Sequence, residues 1–211
     1  MMKHLNFKEF YYSQHPEQKQ IQQTISQLKP ISETVRIKEN RDILSNKEEN
    51  LYIAKTVIDE GLHIDEYDWN GNKLGVYEYD FIGNSDSRYF YFISVSDSLT
   101  VVKFEIQEQS NKVKIVDVNS VGGFFSRIVP DIYVNWLLSK YDGIISDDHQ
   151  TDQGFGIYRF LLKEQERFGI NVSVLNKKTN EKIPVSDISE LVKYFGSTVE
   201  FYNYLFLIEK K

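Results

Sequence analysis

The chain has 211 residues, of which 41% are hydrophobic and 14% aromatic, so it can bury the apolar core that a disordered chain lacks. The formal net charge of −6 disfavours a nucleic-acid backbone as the main partner, since like charges repel. Cysteine is absent, which excludes thiol nucleophiles, disulfides and cysteine-ligated zinc.

The N-terminal stretch, MMKHLNFKEFYYSQ, lacks the uninterrupted apolar run of a signal peptide. No window approaches the roughly 18 consecutive apolar residues that a membrane-spanning helix requires. We therefore expect a soluble, cytoplasmic protein with no membrane partner.

The first 60 residues carry mixed signals. Ile21, Ile25 and Leu28 recur at helical spacing, and the alternation over 34–38 then predicts a strand. Residues 51–58 also read as a strand. We predict that residues 1–60 form a helical and strand extension packed on a domain made by residues 61–211.

The next segment predicts an antiparallel meander. Its strands are expected over 62–68, 73–81, 88–95, 100–107 and 112–119. Turn residues separate them, the clearest being Asn70-Gly71 and Ser110-Asn111. Such short connections join neighbouring strands antiparallel.

The last third alternates helices and strands. Ile128, Ile132 and Trp136 form an apolar helical stripe in which Pro130 is tolerable only in the first turn. The apolar run at 143–146 predicts a strand covered on both faces, and the next helix, capped by Thr151 or Asp152, ends at Gly169. Further elements are expected as a strand at 170–175, a helix at 188–195 and a strand at 199–208.

A motif lies at the centre of this last third. Its residues are Tyr141, Gly143, Ile144-Ile145, Ser146-Asp147, Gln150-Thr151 and Gly154. This segment resembles one found in divergent bacteriophage proteins related to the Gcn5-related N-acetyltransferases (GNAT), and the element order over 62–208 resembles the GNAT fold. The resemblance implies an α/β (α+β) fold, in which an antiparallel meander precedes helix, strand, helix and strand in a mixed central sheet.

The resemblance also implies an acetyl-CoA cofactor, bound where the meander's last strand enters a helix. The family pattern Arg/Gln-x-x-Gly-x-Gly/Ala lets backbone N–H groups approach the pyrophosphate at the positive end of the helix. Here Ser126 and Ile128 stand where two glycines are expected. The candidate cofactor-binding residues are Val121, Gly122, Gly123 and Arg127. A Gly-Gly pair at this place is also typical of a simple turn.

Catalytic candidates follow from the same resemblance. A family member needs a route for the amine proton, for which Glu105 and Asp117 are candidates, and a tyrosine that protonates the leaving thiolate, for which Tyr158 is the candidate. The alternative is that these are two solvated strand carboxylates and one core tyrosine.

The turn after the strand at 143–146 contains Asp147, Asp148 and His149, which we assign to the acceptor substrate. The alternative is a turn whose aspartate caps the next helix. A metal site is disfavoured, because the chain has four histidines and neither HxH nor HExxH spacing.

The leading hypothesis is therefore an enzyme that transfers an acetyl group from acetyl-CoA to a small-molecule or protein amine. The alternative is a non-catalytic protein of phage origin that keeps the scaffold and binds a protein partner. A nucleic-acid-modifying enzyme is a third, disfavoured hypothesis. The aromatic stretches 89–92 and 201–206 are read as strand cores, and a homodimer seam is their second interpretation.

Overall fold

The computed structural model describes residues 44–80, 86–121, 127–148, 152–195 and 201–211. The helix and strand predicted between Ile21 and residue 38 lie outside these ranges. Gly122, Gly123 and His149 also lie outside them. The division between residues 1–60 and 61–211 therefore stays a prediction.

The meander is present as predicted. Its strands are β1 (Leu62–Trp69), β2 (Asn72–Glu78), β3 (Arg88–Ser94), β4 (Thr100–Gln109) and β5 (Lys112–Ser120). Each pairs antiparallel with the next. Asn70 and Gly71 have φ angles of 52° and 82°, the left-handed values that a tight hairpin turn requires.

The chain then crosses to the other half of the sheet. The helical and strand segments are α2 (Ile128–Ile132), a π-helical turn (Tyr133–Leu137), α3 (Leu138–Lys140), β6 (Gly143–Ile145), α4 (Asp152–Lys163), α5 (Gln165–Phe168), β7 (Ile170–Asn176), β8 (Lys182–Pro184), α6 (Ile188–Val192), a 3₁₀ turn (Phe201–Asn203) and β9 (Tyr204–Lys210). The described strands form one sheet in the order β1-β2-β3-β4-β5-β6-β9-β7-β8. Only β5 and β6 pair in parallel. The predicted fold class is confirmed: this is a mixed, mostly antiparallel α+β sheet.

Two strand predictions are corrected at the C-terminal end. The strand predicted over 199–208 begins only at Tyr204, because Phe201–Asn203 forms a 3₁₀ turn. The edge strand β8, which follows a polar turn and is only three residues long, was not predicted. By contrast, Gly169 ends its helix as expected, with a left-handed φ of 62°.

The strand predicted over 51–58 is wrong, because this segment lies within a helix, α1 (Lys47–Glu60). The side chain of Asn46 accepts hydrogen bonds from the backbone N–H groups of Glu48 and Glu49, at 3.0 and 3.4 Å. These bonds satisfy donors that would otherwise be unpaired at a helix start. The buried apolar side chains of α1 follow helical spacing and are Ile53, Ala54 and Val57.

Asn50 attaches α1 to the sheet. Its amide Nδ2 donates to the carbonyls of Leu44 and Thr100 at 2.9 and 3.0 Å, and its Oδ1 accepts from the Thr100 N–H at 2.6 Å. Asn50 and Thr100 are both buried. The helix is therefore held at the first residue of β4 by directional bonds as well as by apolar packing.

The sheet is covered differently on its two faces. On one face, Phe90, Phe92 and Phe104 pack against the helices that follow β5, with the ring of Trp136 5.2 Å from both Phe90 and Phe92. On the other face, Tyr91 and its neighbours pack under α1. The prediction that 89–92 is a strand core is confirmed.

An ion pair crosses β6 on the face opposite the main core. Lys112 Nζ lies 2.8 Å from Glu209 Oε1, and Lys182 binds the other carboxylate oxygen. Gly143 lies between the partner strands, and a Cβ there would come within 3.3 Å of Lys112 Cδ and 3.2 Å of Glu209 Cγ. The glycine therefore leaves the space in which this ion pair forms.

This ion pair predicts a pH-dependent contribution to stability. Burial opposes ionisation of Glu209, but Lys112 and Lys182 outweigh it and hold its pKa below the ordinary value. A depressed carboxyl pKa stabilises the fold above the unfolded pKa of about 4.3, and the stability is lost as pH falls through the folded pKa. Glu209→Gln should thus be less stable than the native chain at neutral pH, and the difference should shrink in acid.

Urea unfolding across a pH series would measure this difference. Glu166→Gln is the matched control, because the Glu166 side chain is 84% exposed although it also pairs with a lysine. It should change stability little at any pH. A Glu209→Gln deficit that stays constant from neutral to acid pH would contradict the assigned role of the charge.

Candidate functional site

The parallel strands β5 and β6 share only a short contact, because β6 is three residues long. They pair only at Lys112 with Gly143, Val113 with Ile144 and Lys114 with Ile145. β5 continues to Ser120, still paired with β4, whereas β6 ends at Ile145. Among the described strands, the second half of β5 has no neighbour on the β6 side, a gap that we call the opening.

Tyr133 and Tyr158 are buried on the face of the main core. Tyr133 opens the π-helical turn, Tyr158 lies on α4, and their ring centroids are 6.4 Å apart. Each tyrosine acts on the pKa of the other. Burial, with Tyr133 and then Asp147 adding to it, raises the pKa of Tyr158 well above its ordinary value. Tyr158 therefore holds its proton at neutral pH.

The helical run after β5 contains an irregularity at Tyr133. The N–H of Leu138 bonds to the carbonyl of Tyr133, five residues back, which is the π-helical spacing. Such bulges occur frequently at functional sites. Pro130 is the third residue of α2 and lies in its first turn, as predicted.

Four polar residues form a group on the sheet face opposite the main core. We call this group the polar square: Lys103, Glu105, Asp117 and Asn119. Lys103 is the register partner of Asn119, and Glu105 is that of Asp117. Asn119 Nδ2 donates to Asp117 Oδ2 at 2.6 Å. Asp117 and Asn119 lie on the part of β5 that extends beyond the end of β6.

A β-bulge brings the polar square together. The register between β4 and β5 shifts between Glu105 and Ile106, which leaves Val116 as the extra residue on β5. Without this shift, Asp117 would share a face with Ile115, which belongs to the main core. Sequence reasoning selected Glu105 and Asp117 but missed Lys103 and Asn119, whose only sequence signal is their two-residue spacing from those carboxylates.

In the turn after β6, Asp147 lies near the two tyrosines and Asp148 lies near two lysines. Ser146 Oγ accepts from the Phe206 N–H at 2.9 Å and donates to the Asp147 carbonyl at 3.0 Å, which anchors the end of the strand. Asp147 is close enough to Tyr158 and Tyr133 to raise the pKa of both.

Asp148 forms ion pairs with two lysines. Lys177 Nζ lies 2.5 Å from its Oδ1, and Lys114 binds Oδ2. Burial opposes ionisation of Asp148, but the two lysines outweigh it and hold its pKa below the ordinary value. The Asp148 carboxylate is thus already engaged by two cations.

The described part of the candidate cofactor turn consists of Val121 and Arg127. The Val121 N–H bonds to the Val101 carbonyl at 2.9 Å, which extends the β4–β5 pairing by one residue. Arg127 is exposed, and its guanidinium lies 5.8 Å from the ring centroid of Phe160 on α4. The next residue, Ile128, is fully buried in the main core.

Two other classes of site were searched for in the described ranges. They contain no group of three or more His, Asp or Glu side chains placed to hold a metal ion. No helix among them is long and apolar enough to cross a membrane.

Comparisons with known proteins give one structural likeness to report. No family model matches the chain, and no curated protein matches it. A solved structure described as a "putative acetyltransferase from Sphaerobacter thermophilus DSM 20745" matches with 9% sequence identity and a TM-score of 0.34. The match covers 78% of this chain and 89% of that protein.

Proposed function

We propose that this protein is an acyltransferase that moves an acetyl group from acetyl-CoA to an amine. The observation that supports the proposal is the gap beside the second half of β5, which arises because β6 ends after the three residues that pair with β5. One side of the opening has the buried phenol of Tyr158, and the other side has the carboxylates of Glu105 and Asp117. General acid and base groups on opposite sides of a cleft are what amide formation from a thioester requires.

The described residues near the opening fit the cofactor. Arg127 is an exposed cation at the start of the helical run after β5, where the helix dipole also favours an anion. With Val121, Gly122 and Gly123 it is our proposed binding site for the pyrophosphate. When bound, acetyl-CoA supplies an acyl group activated as a thioester.

The proposed catalytic roles follow from where each proton is held. Glu105 or Asp117 takes the proton that the amine loses when the amide bond forms. The Tyr158 hydroxyl supplies the proton that the leaving sulfur gains, and its raised pKa keeps this proton available. Charge and protons therefore balance without a further co-reactant.

We propose that Asp147, Asp148 and His149 lie beside the acceptor. Asp147 is the nearer to the two tyrosines, since it acts on the pKa of each. Asp148 can contact an amine only if Lys114 or Lys177 gives up part of its ion pair.

Titration with acetyl-CoA, followed by melting temperature and binding heat, tests the proposed function. A ligand that binds only the folded state, at a hundredfold over its dissociation constant, adds about 2.7 kcal/mol to the free energy of unfolding. We expect saturable binding that Arg127→Ala weakens by about tenfold, through loss of one charge-assisted contact to phosphate. Arg167→Ala is the matched control, since Arg167 is also exposed and also lies over an aromatic ring.

Absence of any melting shift or heat at millimolar acetyl-CoA would overturn the proposal. The second hypothesis, a non-catalytic protein with a protein partner, would then replace it. Sedimentation of the purified chain would separately test the second interpretation of the aromatic stretches, a homodimer seam.

A further inference from the structure

The polar square contains a buried hydrogen-bond acceptor without a donor. Asn119 is 3% exposed, and its Oδ1 has no hydrogen-bond partner among the residues that the structure describes. Its orientation is determined by the other end of the amide, because Nδ2 donates to the Asp117 carboxylate, which can only accept. Buried polar atoms in folded proteins are nearly always paired, so an unpaired acceptor suggests a donor supplied from outside.

Lys103 is the second group without a polar partner in the described part of the chain. Its Nζ lies 5.3 Å from the ring centroid of Tyr89, and no hydrogen bond or ion pair to a described residue accompanies this contact. Burial lowers the pKa of Lys103, although Asp117, Glu105 and Asp80 oppose the shift. Lys103 is half-buried, and its ammonium would gain from a direct ion pair with an anion that reaches it.

Glu105 is the third group of the polar square without a polar partner in the described ranges. It is half-buried and forms no hydrogen bond or ion pair with any residue in the described ranges. It stands two residues from Lys103 on the same face of β4, a separation of about 7 Å along the strand, and the structure contains no direct ion pair between these two described residues although the charge of Glu105 acts on the pKa of Lys103. A positive and a negative side chain thus stand apart on one surface, and the unpaired carbonyl of Asn119 lies across from Lys103.

We propose that the acceptor substrate is a small amine that also carries an anionic group. Its ammonium binds at Glu105 and Asn119 Oδ1, and its anionic group binds at Lys103. A molecule with both charges can contact all three groups, whereas a simple amine would leave Lys103 without a direct ion pair. The assignment of this molecule as the acyl acceptor rests on the proposed function, but its binding does not.

Three probes with similar four-carbon chains test the proposal in the absence of acetyl-CoA: 4-aminobutyrate, butylamine and butyrate. Binding is measured by calorimetry and by chemical-shift changes in the protein. We expect 4-aminobutyrate to bind at least about tenfold more tightly than either single-charge probe, since it gains both charge-assisted contacts. A parallel titration with 3-aminopropylphosphonate shows whether carboxylate or phosphonate is the better anionic group.

Two near-isosteric substitutions separate the contributions of the two charges. Lys103→Met should reduce the affinity for 4-aminobutyrate to that for butylamine, and Glu105→Gln should reduce it to that for butyrate. Lys55→Met and Glu66→Gln change the same residue types at exposed positions of α1 and β1, and should leave all affinities unchanged. Far-ultraviolet circular dichroism of each variant checks that the fold is retained.

Equal binding of the three probes to the native chain, or no binding of 4-aminobutyrate in the millimolar range, would overturn the proposal. Unchanged selectivity in both Lys103→Met and Glu105→Gln would overturn it as well. Acetyl-CoA binding is measured separately, so a failure of the acyltransferase proposal is distinguishable from a failure of this amine site.

Discussion

Tyr158→Phe should lower the rate of acetyl transfer by about a hundredfold or more, the usual contribution of a positioned general acid. The substitution removes only the hydroxyl, so the ring keeps its contact with Phe206, 4.9 Å away between centroids. Acetyl-CoA affinity and stability should therefore change little. The rate is measured as release of free thiol, with the best acceptor from a panel of primary amines.

A second substitution distinguishes the proton donor from its neighbour. The ring of Tyr133 lies 6.4 Å from that of Tyr158, so Tyr133→Phe should lower the transfer rate less than Tyr158→Phe does, because Tyr133 acts only through the position of Tyr158. Because the pKa of Tyr158 is raised above its ordinary value of about 10, its proton is retained across neutral and mildly alkaline pH. A Tyr158→Phe variant that transfers acetyl at the native rate would make Tyr158 a core residue only.

Asn50→Leu should lower the free energy of unfolding by about 2 to 4 kcal/mol, the largest stability effect that we expect from a single polar side chain here. The leucine has a similar volume but cannot bond the N–H and C=O of Thr100 or the C=O of Leu44. Thr100 is fully buried, so water does not readily replace these bonds.

Urea unfolding followed by tryptophan fluorescence measures the Asn50 effect, since Trp69 and Trp136 are both buried in the main core. Asn135→Leu is the control, because Asn135 is exposed and its Nδ2 donates to the Asp131 carboxylate at 3.0 Å, where water can replace the bond. It should cost less than about 1 kcal/mol. An equal loss in the two variants would show that α1 does not depend on the Asn50 bonds.

The meander was predictable because its signals are local. Alternating apolar residues and turns such as Asn70-Gly71 act within a few residues of each other, so β1 to β5 start and end close to the predicted positions. The same holds for Gly169, whose left-handed backbone ends α5. The position of Pro130 in the first turn of its helix was predictable, because the proline ring is excluded from a helix interior.

The segment 51–58 was misread because its apolar residues fit either period over so short a run. The decisive signal for α1 was the cap at Asn46, together with Glu48 and Glu49 in the first turn. Burial against the sheet then selected the helical face. A short edge strand such as β8 has too few residues to show any period.

Glu105, Asp117 and Tyr158 were selected as candidates because the family resemblance implies a carboxylate on the meander and a tyrosine on the later helix, and their roles stay predictions. The composition of the polar square depended on tertiary structure, since the bulge at Val116 rotates Asp117 and Asn119 onto the face of Lys103. The same is true of contacts between distant segments, such as Asn50 with Thr100 and Lys112 with Glu209. Local propensity determines where elements begin and end, whereas register and long-range packing determine which side chains meet.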